Sequence, residues 1–237
     1  MLSPNLGGNL MCLNTTFSSC IRQGNEDSEF SFENRTQGDR LDSIPASVAS
    51  ISFTLCTFNE MTVDADPFEG GAAILLSDTS SSVTVRTNFF HKCTSTGEYN
   101  FGGAICFIGA SGRYPTLSIS HSSFTECSTQ FGWDVFSFGG GSIHVSAAST
   151  TIMTTCFFDQ STADSDGALF LATNFAEIAN TVFADCSATN RGGAMSLERV
   201  NILNLSYLHF RGCSSVRDSR AKDINILGRS RLRSGKV

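Results

Sequence analysis

The stretch LSISHSSFTEC, residues 117–127, carries the pattern from which the fold can be read. Leu117 and Ile119 stand two apart, Phe124 follows Ile119 by five residues, and Cys127 comes three residues later. The same arrangement occurs in seven copies along the chain. It begins as Leu10, Cys12, Phe17, Cys20, then Ile51, Phe53, Phe58, Met61, then Val83, Val85, Phe90, Cys93. After residues 117–127 it continues as Thr151, Met153, Phe158, Ser161, then Ala176, Ile178, Phe183, Cys186, and Leu203, Leu205, Phe210, Cys213. Apolar residues at period two put one face of a strand inward, and no stretch sustains the 3.6-residue period of a helix.

Between the copies lies a Gly-rich turn that leads into a short strand. It reads Gly70-Gly71-Ala72-Ala73-Ile74, Gly102-Gly103-Ala104-Ile105 and Gly140-Gly141-Ser142-Ile143, with weaker copies at Gly167-Ala168-Leu169 and Gly192-Gly193-Ala194-Met195. Residues 132–136 compete with 140–143 for one of these strand positions. A unit of constant design with loops of variable length is the mark of a solenoid. The expected fold is all-β: a right-handed parallel β-helix of about six coils, each hydrogen-bonded to the next about 4.8 Å away. In it Phe17, Phe58, Phe90, Phe124, Phe158, Phe183 and Phe210 form an inward ladder beside Cys20, Cys93, Cys127, Cys186 and Cys213.

Composition narrows the function. The chain has 237 residues with a formal charge of -6, which disfavours binding to nucleic acid phosphates. No apolar run approaches the roughly 18 to 20 residues of a bilayer span, and no secretion signal is readable at the N-terminus. The 20 Phe, against 3 Tyr and 1 Trp, point to a repeated core position rather than to a site.

The motifs Gly102-Gly103-Ala104-Ile105 and Phe124-Thr125-Glu126-Cys127 resemble the GGA(I/L/V) and FxxN repeats of chlamydial polymorphic outer membrane proteins, and similar repeats in surface proteins of anaerobic protists. The resemblance covers residues 46–227 and implies the right-handed, pectin-lyase-like β-helix class, with a place at the cell surface or outside the cell. This chain carries Cys where the bacterial repeat has Asn.

Four segments are expected: an incomplete first coil over residues 1–20, a polar loop or lateral extension over 21–47, the β-helix over 48–227 and a basic tail over 228–237. Both ends cut through a coil, as in a piece of a longer β-helix, which implies end-to-end self-association through open strand edges.

Chemistry is sparsely signalled. The ladder cysteines alternate with Met61 and Ser161, as small core thiols would, and no CxxC zinc spacing occurs. Asp64 with Asp66, and Asp164 with Asp166, precede Gly turns; they lie three coils apart, about 14 Å, too far for one paired-carboxylate site. His91, His121, His144 and His209 occupy different repeat positions and yield no triad. No catalytic, cofactor-binding or metal residue is therefore assigned, and no cofactor. Asn14, Asn34 and Asn204 begin glycosylation sequons, relevant only to a secreted chain. The leading expectation is a non-enzymatic scaffold of a cell-surface protein that binds a protein or glycan. The alternative is a polysaccharide lyase or glycoside hydrolase of the same fold.

Overall fold

Alternation in the sequence becomes alternation of burial. In Ser82–Arg86 the side chains of Val83 and Val85 are buried while Ser82, Thr84 and Arg86 are exposed, and Thr116–Ser120 follows the same rhythm. The structure is a computed structural model and describes residues 9–18, 21–23, 50–64, 70–79, 82–97, 100–109, 115–131, 139–217, 223–227 and 231–234. Among these there is no helix. The strands form three sheets of 12, 7 and 7 strands, and every strand pairing in them is parallel. This is the arrangement of a β-helix solenoid.

Pairing follows the repeat. Leu10 pairs with Ile51, Ile51 with Val83, Val83 with Leu117, Leu117 with Thr151, Thr151 with Ala176, and Ala176 with Leu203. One turn onward, strands such as Thr57–Asn59, Phe89–His91, Ser123–Thr125 and Phe157–Asp159 build the second sheet, which points a Phe inward from each strand. From Phe17 to Phe210 the successive rings stack with centroids 4.6–5.4 Å apart and planes within 10°. Phe58, Phe90, Phe124, Phe158 and Phe183 are almost wholly buried. Each contributes on the order of 1.5–3 kcal/mol by burial. Beside them lie Met61, Cys93, Cys127, Ser161 and Cys186, all buried, with Cys213 half-buried; Cys20 lies outside the described residues.

Several features differ from the sequence reading. The Gly-turn strand and the apolar-pair strand belong to the same large sheet, and they fuse into single strands at Ile143–Thr154 and Leu169–Ala179 where the loop between them is short. Gly140 and Gly141 lead into that position, with Gly103 N–H donating to Gly141 O; residues 132–136 lie outside the described residues. The third sheet has no counterpart in the reading. Its inward residues, such as Val63, Ser95, Thr129, Ala163, Ala188 and Ser215, are small and often polar, so no apolar alternation announces it. Ile21–Gln23, at the start of the polar segment, forms a strand in this sheet paired with Thr62–Asp64. Arg231–Ser234, within the basic tail, pairs with the strand Ile202–Ser206. Backbone pairing needs no apolar side chain, which is why composition pointed elsewhere.

The corners are also unannounced. The chain turns at Asn14, Leu55, Thr87, His121, Thr155, Asn180 and Tyr207, and again at Glu60, Lys92, Glu126, Gln160, Asp185 and Gly212, all with φ between 50° and 66°. Left-handed backbone costs a non-glycine residue roughly 1–2 kcal/mol. Hydrogen bonds to the adjacent coil hold it there: Thr87 N–H donates to Ser120 O, His121 N–H to Thr154 O, Lys92 N–H to Thr125 O and Glu126 N–H to Asp159 O.

Two expectations follow. Phe124→Ala empties the middle of the stack and should cost about 3–5 kcal/mol in denaturant unfolding, whereas Phe89→Ala, at an outward position 45% exposed, should cost less than about 1 kcal/mol. Equal losses would show that the stack does not carry the core. Thr87→Asn, which places a residue tolerant of this backbone at an exposed corner, should raise stability by about 0.5–1 kcal/mol. An unchanged or lower midpoint in the same titration would show that the corner is not strained.

Candidate functional site

Two places concentrate polar chemistry. The first is the outer face of the second sheet, made of strands only three residues long. One outward row runs Thr57, Phe89, Ser123, Phe157, Val182, His209, residue paired to residue. Phe89 is 45% exposed and Phe157 39%, and both point away from the core because their neighbours Phe90 and Phe158 point into it. They stand two coils apart, about 9.6 Å at the strand spacing, with Ser123 between them. The next row holds Asn59, His91, Thr125, Asp159, Ala184 and Arg211. Within it His91 Nδ1 is 2.8 Å from Asn59 Oδ1, and His91 Nε2 is 3.6 Å from Glu126 Oε1 on the next coil. Arg211 reaches Asp185 at 3.7 Å.

The second place is a buried corner. Asp166 stands where other coils have Gly71, Gly102, Gly140 and Gly192, and it takes the left-handed backbone of Gly71, Gly102 and Gly192, φ 73°. At Gly102 an added Cβ would meet Ile105 O at 2.1 Å, so the row favours glycine on steric grounds as well. The Asp166 carboxylate is fully buried and ties three coils together: it accepts from Gly139 N–H at 3.2 Å, from Arg191 Nε at 3.1 Å, and from the Ser196 hydroxyl. Burial pushes its pKa up to about 6, against the pull of Arg191. Close by along the same strand row, with Phe170 and Ser196 as successive partners, His144 lies between the rings of Phe101 and Phe170, at 4.3 and 4.8 Å. Its Nδ1 is buried without a hydrogen-bond partner, and burial lowers its pKa to about 3.

The acidic and histidine residues singled out in the sequence are thus dispersed. Asp166 is part of a buried clamp, and Asp164 accepts a hydrogen bond from Thr189 Oγ1 at 3.3 Å. Asp66 lies outside the described residues, as does the side chain of Asp64. His91 joins Glu126, His144 is buried, and His121 and His209 are exposed at a corner and on the flank. Sequence reasoning passed over Arg191 and Ser196; the available signal was the Asp in the place of the first Gly of Gly102-Gly103-Ala104-Ile105. Of the sequons, Asn14 is exposed at a corner, Asn204 is half-buried within a strand between Glu177 and Arg233, and Asn34 lies outside the described residues.

No family model matches the sequence, and no curated protein or solved structure matches it. No helix among the described residues is long and apolar enough to cross a membrane.

The two buried groups act oppositely on stability. The folded state holds the Asp166 proton up to pH about 6, above the ordinary 3.8, so the stability this group confers at low pH is lost as pH rises through that window. The loss is on the order of 3 kcal/mol. His144 is neutral when buried, so its contribution is present above 6.5 and is lost as pH falls toward 3. Asp166→Asn should therefore stabilise the protein relative to the parent at pH 7 and not at pH 4, measured by urea unfolding at both values. A difference that does not change with pH would mean that Asp166 does not titrate in this window.

Proposed function

We propose that this chain is a non-enzymatic scaffold of the right-handed, pectin-lyase-like β-helix kind, part of a cell-surface protein that binds a protein or glycan along the outer face of its second sheet. The observation that carries the reading is the exposure of Phe89 and Phe157 on that face. Large aromatic side chains held on short, rigid strands, with small hydroxyl residues such as Ser123 and Thr125 between and beside them, form a platform for an apolar surface or for the CH face of a sugar. The resemblance of the repeats to polymorphic outer membrane proteins supports the surface location.

The alternative, a polysaccharide lyase or glycoside hydrolase, draws on the pairing of His91 with Glu126 across adjacent coils, because such an outward acid and base could move a proton on a bound sugar.

A panel of immobilised neutral and acidic oligosaccharides, together with a panel of extracellular matrix proteins, tests both readings. The parent chain should be retained by at least one member, and the double variant Phe89→Ser, Phe157→Ser should lose retention while keeping its thermal midpoint. Retention that survives the double variant would move the binding face elsewhere. Depolymerisation of the retained polysaccharide, abolished by Glu126→Gln, would establish the enzyme instead.

A further inference from the structure

Cysteines that stack in register are poorly placed to bridge. Their Cβ atoms follow the coil spacing of about 4.8 Å, wider than the roughly 3.8 Å of a disulfide. The thiols of Cys93, Cys127 and Cys213 point at carbonyl oxygens of the preceding coil: Phe58 O at 3.8 Å, Phe90 O at 3.8 Å and Phe183 O at 3.6 Å.

Cys12 and Cys56 are related differently. The in-register partner of Cys12 is Phe53, and Cys56 comes three residues later, beyond the corner at Leu55. Approaching on the diagonal, the Cys56 thiol donates to Cys12 Sγ at 3.4 Å. Between the two cysteines runs the polar segment 21–47, so a bond here would close a long loop and fasten the strand Asn9–Leu13 to the coil that follows Ser50–Thr54.

We propose that Cys12 and Cys56 form a reversible intrachain disulfide by exchange with a low-molecular-weight disulfide. Cys12, 8% exposed against 1% for Cys56, is the sulfur a reagent reaches. It loses its proton to solvent and attacks the reagent disulfide, and one reagent thiolate leaves and takes up a proton. The Cys56 thiol then loses its proton and attacks the Cys12 sulfur of the mixed disulfide, and the second reagent thiol departs. The two cysteine sulfurs are oxidised by two electrons in all, and the reagent disulfide is reduced to two thiols. Burial pushes the Cys12 thiol up to about 11, so exchange quickens as the solution is made alkaline.

The test treats the full chain with oxidised glutathione at mildly alkaline pH, quenches with acid, alkylates in denaturant, and maps peptides without reduction. The expected product is a cross-linked peptide pair containing Cys12 and Cys56, lighter by two hydrogens, with the thermal midpoint raised and then restored by a dithiol reductant. Cys56→Ser should stop at a glutathione adduct on Cys12. Recovery of both cysteines alkylated in the parent chain after prolonged treatment overturns the proposal whether or not the variant folds. So does a cross-link confined to the in-register pairs.

Discussion

Parallel backbone pairing between successive coils is the constraint on which everything else rests. Each coil donates and accepts hydrogen bonds from its neighbours at a fixed spacing, so a residue can vary only within what the residues above and below allow. The stacking of Phe rings at 4.6–5.4 Å is a direct result: the strand spacing coincides with the contact distance of parallel aromatic rings. The corners depend on the same bonds. Leu55, Thr87, His121 and Asn180 hold left-handed backbone because the coils turn at the same place and the next coil supplies a carbonyl for the turning N–H.

That constraint also governs what happens when a polar residue enters the interior. Asn88 occupies an inward corner position where Cys56 and Cys156 stand in other coils. It is satisfied there, with Oδ1 accepting from Cys56 N–H at 2.7 Å and Nδ2 donating to Phe53 O at 3.0 Å. Ser161, in the thiol row, meets Ser142 at 2.6 Å. The Oγ atoms of Ser95 and Thr151 are buried without partners, which costs each about 1–3 kcal/mol that the surrounding apolar contacts must offset. Asp166 is the largest departure, since a carboxylate has replaced a glycine and three coils contribute donors to it.

A solenoid built in this way separates inward positions from outward ones. Inward positions are fixed by stacking, whereas outward positions on the second sheet are free of that demand, and there Phe89 and Phe157 are exposed beside Asn59, His91 and Glu126. Short paired strands hold these side chains in rows at the coil spacing.

The sequence by itself determined the repeat, the strand class and the register. The inward pair, the Phe and the position held by Cys, Met61 or Ser161 keep constant spacing in every copy, because stacking tolerates no slip at inward positions. Only the tertiary structure disclosed the third sheet, whose inward residues are small and give no apolar signal, and the strand pairing of Ile21–Gln23 and Arg231–Ser234, which the polar composition around them does not announce. The corners were hidden for a related reason: the bonds that hold Leu55 or Thr87 in left-handed backbone come from another coil, more than 30 residues away along the chain. The Asp166 clamp and the approach of Cys12 to Cys56 likewise join residues on different coils, and no local pattern encodes a contact that exists only once the coils are stacked.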